Sequence, residues 1–412
     1  MTLRVGMVAG EPSGDLLASR ILRGIGQCSP GAVCQGIGGP AMQAQGFDAW
    51  FPMHALTVFG YVDAIKRLPR LLHTYSSVKN RWLRQRPDVF VGIDAPDFNL
   101  RLELQLKQAG IPTVHFVGPS IWAWRYERIH AIRKAVSHML VLFPFEVEIY
   151  QKEGIPVTCV GHPLAQVIPM RPDRDAARAF LGIDSGARVL AVMPGSRSSE
   201  IRMLAPRFLQ AVQQLQQRDP GLVILVPMVN AERRREFEAI LAQHPVRNCT
   251  IVGADAPVQP NQSFHSTQRP SQANEGFEAR PAAWNVMEAA DAVLVASGTA
   301  TLEAALFKRP MVISYVLSPL MRRLMAWKSG QQRPYVPWVG LPNVLARDFV
   351  VPELLQEDAE PSKLAEATWR ALTDGAHRAA VEQRFAAIHD SLNLDTPGLA
   401  TRIILEQAGH AA

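Results

Sequence analysis

Three features of this chain predict an α/β fold of two Rossmann-like βα domains facing a central cleft. Short apolar runs alternate with helix-forming segments along its length, the pattern of parallel strands joined by right-handed crossovers. At 412 residues it exceeds what one hydrophobic core usually spans. A proline-interrupted stretch from Pro163 to Asp184 then divides the pattern into two similar halves.

Arg4 to Ala9 reads as the first strand and Asp15 to Ile25 as the helix after it. Asp88 to Ile93, Thr113 to Val117 and His138 to Leu142 are further buried strands, with helices over Leu100 to Ala109, Arg125 to Ala135 and Phe145 to Glu153. The second half has strands at Val189 to Met193, Val223 to Pro227, Cys249 to Val252, Ala292 to Ala296 and Met311 to Tyr315. The domains are therefore expected at 1–168 and 185–380, with helices of 381–412 packing back toward the first. Ala256 to Ala283, rich in Pro, Gln, Ser and Asn, is expected to be a flexible surface insertion.

Composition narrows the function. Hydrophobic residues make up 48% of the chain, enough for large cores, and no run of about 18 apolar residues could span a bilayer. Leu3 to Ala9 is too short for a signal peptide. Cys28, Cys34, Cys159 and Cys249 have no metal spacing and fit a reducing cytosol. A net charge of +6 suits anionic substrates or lipid head groups without indicating nucleic acid.

The polar loops after the strands carry the chemistry. Ser297-Gly298-Thr299 leads from a buried strand into a helix whose N-terminal N–H groups suit a phosphate, and Glu303, one turn in, can accept from ribose hydroxyls. The same residues would also serve as an ordinary helix cap. In Pro194-Gly195-Ser196-Arg197, Gly195 permits close backbone approach and Arg197 offers a planar donor to phosphate oxygens. Asp94-Ala95-Pro96-Asp97 sets two carboxylates at the end of a strand, one suited to general-base work and one to a turn or cap. Gly10-Glu11-Pro12-Ser13-Gly14-Asp15 lacks the lysine of an ATP-binding loop and reads as an acceptor contact or a tight turn. Asp173-Arg174-Asp175 resembles a metal-binding tripeptide, but Asp173 is placed to cap a helix; no metal or other cofactor is expected.

Together with Gly36-Ile37-Gly38-Gly39, Pro119-Ser120-Ile121-Trp122-Ala123-Trp124, Pro144-Phe145-Glu146, Gly161-His162-Pro163 and Leu341-Pro342-Asn343, these loops resemble the lipid-A-disaccharide synthase family of GT-B glycosyltransferases over nearly the whole chain. The resemblance implies inverting transfer of 2,3-diacylglucosamine from its UDP derivative to 2,3-diacylglucosamine 1-phosphate (lipid X), releasing UDP. It implies Asp97 as the base for the 6-hydroxyl, with Glu11 and Asp88 as further catalytic positions. Gly195, Ser196, Arg197, Ser297, Gly298, Thr299, Glu303 and Asn343 would bind the UDP-sugar, and Ser13 and Trp122 would face the acceptor. Gln166 stands where the family often has an acidic residue. Rival readings are a UDP-N-acetylhexosamine epimerase, a polyprenyl-linked sugar transferase, or a non-catalytic UDP-sugar or lipid-binding module.

Leu56 to Leu83 mixes apolar and cationic residues. Val62, Ile65, Leu68 and Leu72 are read as a membrane-facing set, with Pro69 expected to kink or restart the helix. The expectation is a cytoplasmic enzyme resting on the inner membrane of a Gram-negative bacterium, with a homodimer left open.

Overall fold

In the computed structural model the described residues are 2–56, 61–253, 275–317 and 336–410, without the side chains of residues 55, 61–70 and 275. They form two units, one of Met1–Gln166 with Ser391–Ala412 and one of Val167–Asp390. Each is built on a single parallel sheet.

The first unit contains β1 (Arg4–Ala9), β2 (Val33–Gly38), β3 (Asp48–Pro52), β4 (Val89–Ile93), β5 (Thr113–Phe116), β6 (His138–Val141) and β7 (Val157–Cys159), in the order β3-β2-β1-β4-β5-β6-β7. The second contains β8 (Val189–Met193), β9 (Val223–Pro227), β10 (Cys249–Val252), β11 (Ala292–Ala296), β12 (Met311–Tyr315) and β13 (Glu353–Leu355), in the order β10-β9-β8-β11-β12-β13. Both are doubly wound, with strand order reversing between β1 and β4 and between β8 and β11. Ligands of such sheets bind beyond the strand carboxyl ends at that switch point. The loops after β1, β4, β8 and β11 are those that carry the motifs.

Alternate side chains of the first sheet pack on opposite layers. Val5, Met7 and Ala9 join Ile21 and Ile25 of the helix Pro12–Cys28 and Ile403 and Ile404 of the helix Thr396–Gln407. Val8, Ile37 and Phe90 face Val78 and Trp82 of the helix Tyr61–Gln85 and Leu102 and Leu106 of the helix Pro96–Gln108. Gly36, at φ +142°, and Gly6 leave the room Trp82 needs, since a Cβ at either would lie within 2.8 Å of its indole. Removing this side chain would cost about 3–5 kcal/mol.

Several expectations need correction. β2, with two glycines and a glutamine, does not read as a buried strand, β3 is a short edge strand ending in proline, and β7 and β13 are three-residue edge strands. The helix Tyr61–Gln85 runs through Pro69 without restarting. The division falls within the Pro163 to Asp184 stretch, after Gln166, rather than leaving 169–184 outside both domains. Residues 167–184 belong to the second unit, where Arg178 in the helix Arg174–Phe180 is 2% exposed and donates to Asp291 Oδ2 at 2.9 Å and to the Ala289 carbonyl at 3.0 Å. At the other end, residues up to Asp390 also stay with the second unit, so only 391–412 complete the first core. Of the supposed insertion, 254–274 lie outside the described residues. Residues 275–283 are not a loose loop: they hold the helix Glu275–Glu278 and the start of Ala282–Ala289, with Arg280 bound to Asn285 and Glu288.

Candidate active site

The first unit's switch point is built by close approach of two loops. After β1, Glu11 is extended and exposed, its carbonyl accepting from Asp15 N–H at 2.9 Å; Ser13 is exposed in the first helical turn. Asp15 is a structural residue. It is 3% exposed and accepts from the N–H groups of Gly39 (2.8 Å), Ala41 (2.9 Å) and Met42 (3.2 Å), capping the short helix Pro40–Gln43. After β4, Asp94 and Ala95 both adopt left-handed backbone, at φ +53° and +43°. Gly10 is required beside them, because a Cβ there would stand 2.9 Å from that of Ala95. Asp97, in the first turn of Pro96–Gln108, has an 89% exposed side chain whose Oδ1 accepts from Arg128 Nη2 at 2.6 Å.

Asp88 does not join them. It precedes β4, at the opposite edge of the sheet, and its Oδ2 accepts from the Arg4 N–H at 2.7 Å. The five-residue strand between Asp88 and Asp94 spans about 16 Å at 3.3 Å per residue, too far for direct participation.

Beyond β5, β6 and β7 runs an aromatic row that sequence reading missed, apart from Trp122. Trp122 meets Phe145 edge-on at 5.4 Å, Phe145 stacks on Phe143 at 5.8 Å, and Phe143 stacks on His162 at 5.7 Å. Burial pushes His162 down to about 4, so it is neutral and its Nδ1 accepts from Leu164 N–H at 3.2 Å. Glu146, 4% exposed below the row, is pushed up to about 8 by burial, although the Phe143 and Leu142 backbone groups work against this. Gln166 donates to the Leu394 carbonyl at 2.6 Å, so this departure from the family pattern is a structural contact.

In the second unit Gly195, at φ +119°, lets Glu200 fold back; a Cβ there would lie 2.5 Å from it. Glu200 Oε2 then accepts from the N–H groups of Ser196 (3.0 Å) and Arg197 (3.1 Å). Those backbone donors are therefore spent on the protein, and what the loop presents outward is the 78% exposed Arg197 guanidinium, 3.5 Å from Glu200 Oε1. Next to this, β11 ends at Ala296, Ser297 follows it, and the helix Thr299–Leu306 begins with no side chain capping it. Gly298 opens onto free space, with nothing within 4 Å of a Cβ. Glu303 sits one turn in; burial raises its pKa, and the Trp284 indole N–H works against this without reaching hydrogen-bond geometry. Tyr315, the last residue of β12, feels both Glu200 and Arg197 and so marks the same edge. Its position at the end of a strand next to the switch point was its only sequence signal.

Asn343 is not free to bind a ligand. It is fully buried; its amide donates to the Val351 carbonyl and Glu353 Oε1, both at 2.8 Å, and its oxygen accepts from Val351 N–H at 3.0 Å.

Of the proposed membrane set, the side chains of Val62, Ile65 and Leu68 lie outside the described residues. Leu72 is 54% exposed, off the face that buries Thr74, Val78 and Trp82. Part of the cationic segment is held by the protein itself: half-buried Arg81 lies 3.8 Å over the Trp50 ring, and exposed Arg86 donates to the Ala109 carbonyl at 2.7 Å. Among the described residues no helix is long and apolar enough to cross a membrane, and no cluster of three or more acidic, His or Cys side chains could hold a metal ion.

Tandem doubly wound sheets with polar loops at both switch points define the GT-B class of nucleotide-sugar proteins. The fold is similar to that of a UDP-GlcNAc 2-epimerase from Neisseria meningitidis bound to UDP-GlcNAc, at 13% identity and a TM-score of 0.55 over 98% of this chain and 99% of that one. Sequence comparison is more specific. A family model for lipid-A-disaccharide synthetase matches residues 5–259 and 260–404. Over 412 residues, all of both chains, the protein is 71% identical to lipid-A-disaccharide synthase of Bordetella petrii, and it is 70% identical over 99% of both chains to that of Bordetella avium. The chain belongs to the lipid-A-disaccharide synthase family and is a glycosyltransferase of lipid A disaccharide synthesis.

Proposed function

We propose that the enzyme transfers 2,3-diacylglucosamine from UDP to the 6-hydroxyl of 2,3-diacylglucosamine 1-phosphate, with inversion at the anomeric carbon. The observation that carries this reading is the second unit's switch point. There an uncapped helix start at Gly298 and Thr299 adjoins the outward guanidinium of Arg197, a positive setting for a diphosphate whose charge grows as it leaves. Glu303 would take the ribose hydroxyls. In the first unit Asp97 would remove the 6-hydroxyl proton while that oxygen bonds to the anomeric carbon and the bond to the UDP oxygen breaks. Arg128 sets the direction of its carboxylate. Glu11 and Ser13 are exposed at the same carboxyl edge and would contact the acceptor, and the Trp122 row would offer an apolar wall to an acyl chain.

Neither Asp88 nor Asn343 has a part in this scheme. Incubation with UDP-2,3-diacylglucosamine and lipid X should give UDP and a β-linked disaccharide 1-phosphate. Asp97→Asn should lower turnover by about 10² to 10⁴ while UDP affinity stays within a few-fold. Absence of disaccharide from the wild type in varied detergents would overturn the reading; full turnover by Asp97→Asn would remove the base assignment alone.

We further propose peripheral membrane association through the first part of the helix Tyr61–Gln85, supported by exposed Leu72 and the basic residues along it.

A further inference from the structure

We propose that the first unit carries a second ligand site: a cationic cleft between the helices Pro12–Cys28 and Thr396–Gln407 that binds a phosphate monoester. The site lies apart from both switch points and does not depend on the reaction proposed above.

The helix Pro12–Cys28 buries Ala18, Ile21, Leu22 and Ile25 in the core of the sheet. The stripe that borders the helix Thr396–Gln407 has a different character. Arg20, Arg23, Gly24 and Gln27 follow i, i+3, i+4, i+7 spacing, one face of the helix. The two helices touch at Gly24, where a Cβ would lie 2.4 Å from Thr401 Oγ1. Along this seam opens a cavity of about 640 Å³, the size of a small-molecule site. Arg20, Arg23 and Gln27 line one side of it, and Arg402 faces them from the other helix.

Charge in the cavity is unbalanced. Its three arginines meet one carboxylate, Asp395, which accepts from the Gly398 N–H at 3.1 Å. Arg20 and Arg23 have no hydrogen-bond or ion-pair partner among the described residues, and Arg402 meets Glu406 at 3.8 Å. Like charges one helical turn apart repel, and an anion between them turns that repulsion into attraction. The guanidinium fork matches the oxygens of a phosphate, and a concave wall concentrates its field.

An independent observation comes from deeper in the cleft. An adjoining recess shares Arg20, Gln166 and Pro397 with the cavity and reaches Ile21, Pro163 and Thr396. Thr396 is 2% exposed, and its hydroxyl has no hydrogen-bond partner. Buried hydroxyls are ordinarily satisfied. This one lines the recess, where a ligand's ester or hydroxyl oxygen would satisfy it.

Arg23 is ten residues along the helix from Ser13, about 15 Å at 1.5 Å per residue, so the ligand does not take the acceptor's place. Its effect is on the fold. Arg402 belongs to the returning segment Ser391–Ala412, and an anion that bridges it to Arg20 and Arg23 fastens that segment to the first core.

A phosphate monoester is either free or carried by a lipid. Calorimetry on the full-length enzyme at physiological salt, with glycerol 3-phosphate and with monomeric dihexanoyl phosphatidic acid, separates the two sources by which binds more tightly. We expect a Kd of about 0.1–1 mM for the better probe, the range of two or three charge-assisted hydrogen bonds. The double variant Arg20→Gln, Arg23→Gln should bind it about tenfold or more weakly, and Arg402→Gln, from the opposite wall, should lose a similar factor. The probe should raise the melting temperature of wild type more than that of either variant. Both variants change exposed or half-exposed side chains and should keep wild-type kcat and UDP affinity. Failure of wild type to bind either probe below about 10 mM, or wild-type affinity in either variant, would overturn the site.

Discussion

Replacing Glu146 with Gln isolates one buried ionisation and gives a stability change whose sign and size follow from the structure. Glu146 lies in the first turn of the helix Pro144–Lys152, 4% exposed, accepting from Phe143 N–H at 3.2 Å. Burial pushes its carboxyl up from 4.5 to about 8, and the same carboxyl helps raise Tyr150 beside it. At neutral pH it is therefore protonated when folded and ionised when unfolded. Its contribution to stability is fully present below 4.5 and is lost as pH rises through about 8. At about 1.4 kcal/mol per pH unit the total is on the order of 5 kcal/mol, with about half of it falling between pH 5.5 and 7.5. Gln cannot ionise but keeps an oxygen for Phe143. Urea unfolding of both proteins should follow the transition of the first unit across pH 5.5 to 9. The wild-type stability relative to Glu146→Gln should fall by that amount up to pH 7.5 and level off above about 8. Parallel profiles would show that Glu146 is ionised in the folded protein, which would refute the burial argument.

Arg197→Ala should weaken UDP binding in calorimetry and also slow the chemical step, because its charge faces outward with only a 3.5 Å contact to Glu200. Glu303→Gln should raise the donor KM more than it lowers kcat; wild-type UDP binding by both variants would move the nucleotide elsewhere. Activity should survive exhaustive EDTA treatment, and loss restored by magnesium or manganese would reopen Asp173-Arg174-Asp175. Serine at Val62, Ile65, Leu68 and Leu72 together should reduce binding to anionic vesicles at low salt without lowering the melting temperature. Unchanged vesicle binding, or unfolding, would place that face in the core.

Much of the fold is legible in the sequence because a buried parallel strand has both faces covered and must be apolar throughout. Runs such as Val89–Ile93, Val189–Met193 and Ala292–Ala296, all fully buried, need no partner to be recognised. The loops that follow them are equally visible, since polar and glycine residues interrupt an apolar pattern. Strands that sit at the sheet margin, such as Asp48–Pro52, carry no comparable signal, and strand order itself is written in no local pattern.

What each loop residue does was decided by residues distant in the chain. Asp15 is spent on Gly39, Ala41 and Met42, and Asn343 on Val351 and Glu353. Glu200 takes the N–H groups that a phosphate could have used, and Asp88 turns out to face the other edge. Asp94 and Asp97 are three residues apart and equally acidic, yet one is paired to Arg128 while the other is held in a strained turn with its carboxylate unspent. A sequence determines which side chains are able to accept a hydrogen bond. Only the tertiary structure decides which acceptors are already satisfied, because burial brings donors from distant segments within bonding distance and excludes the water that would otherwise satisfy them.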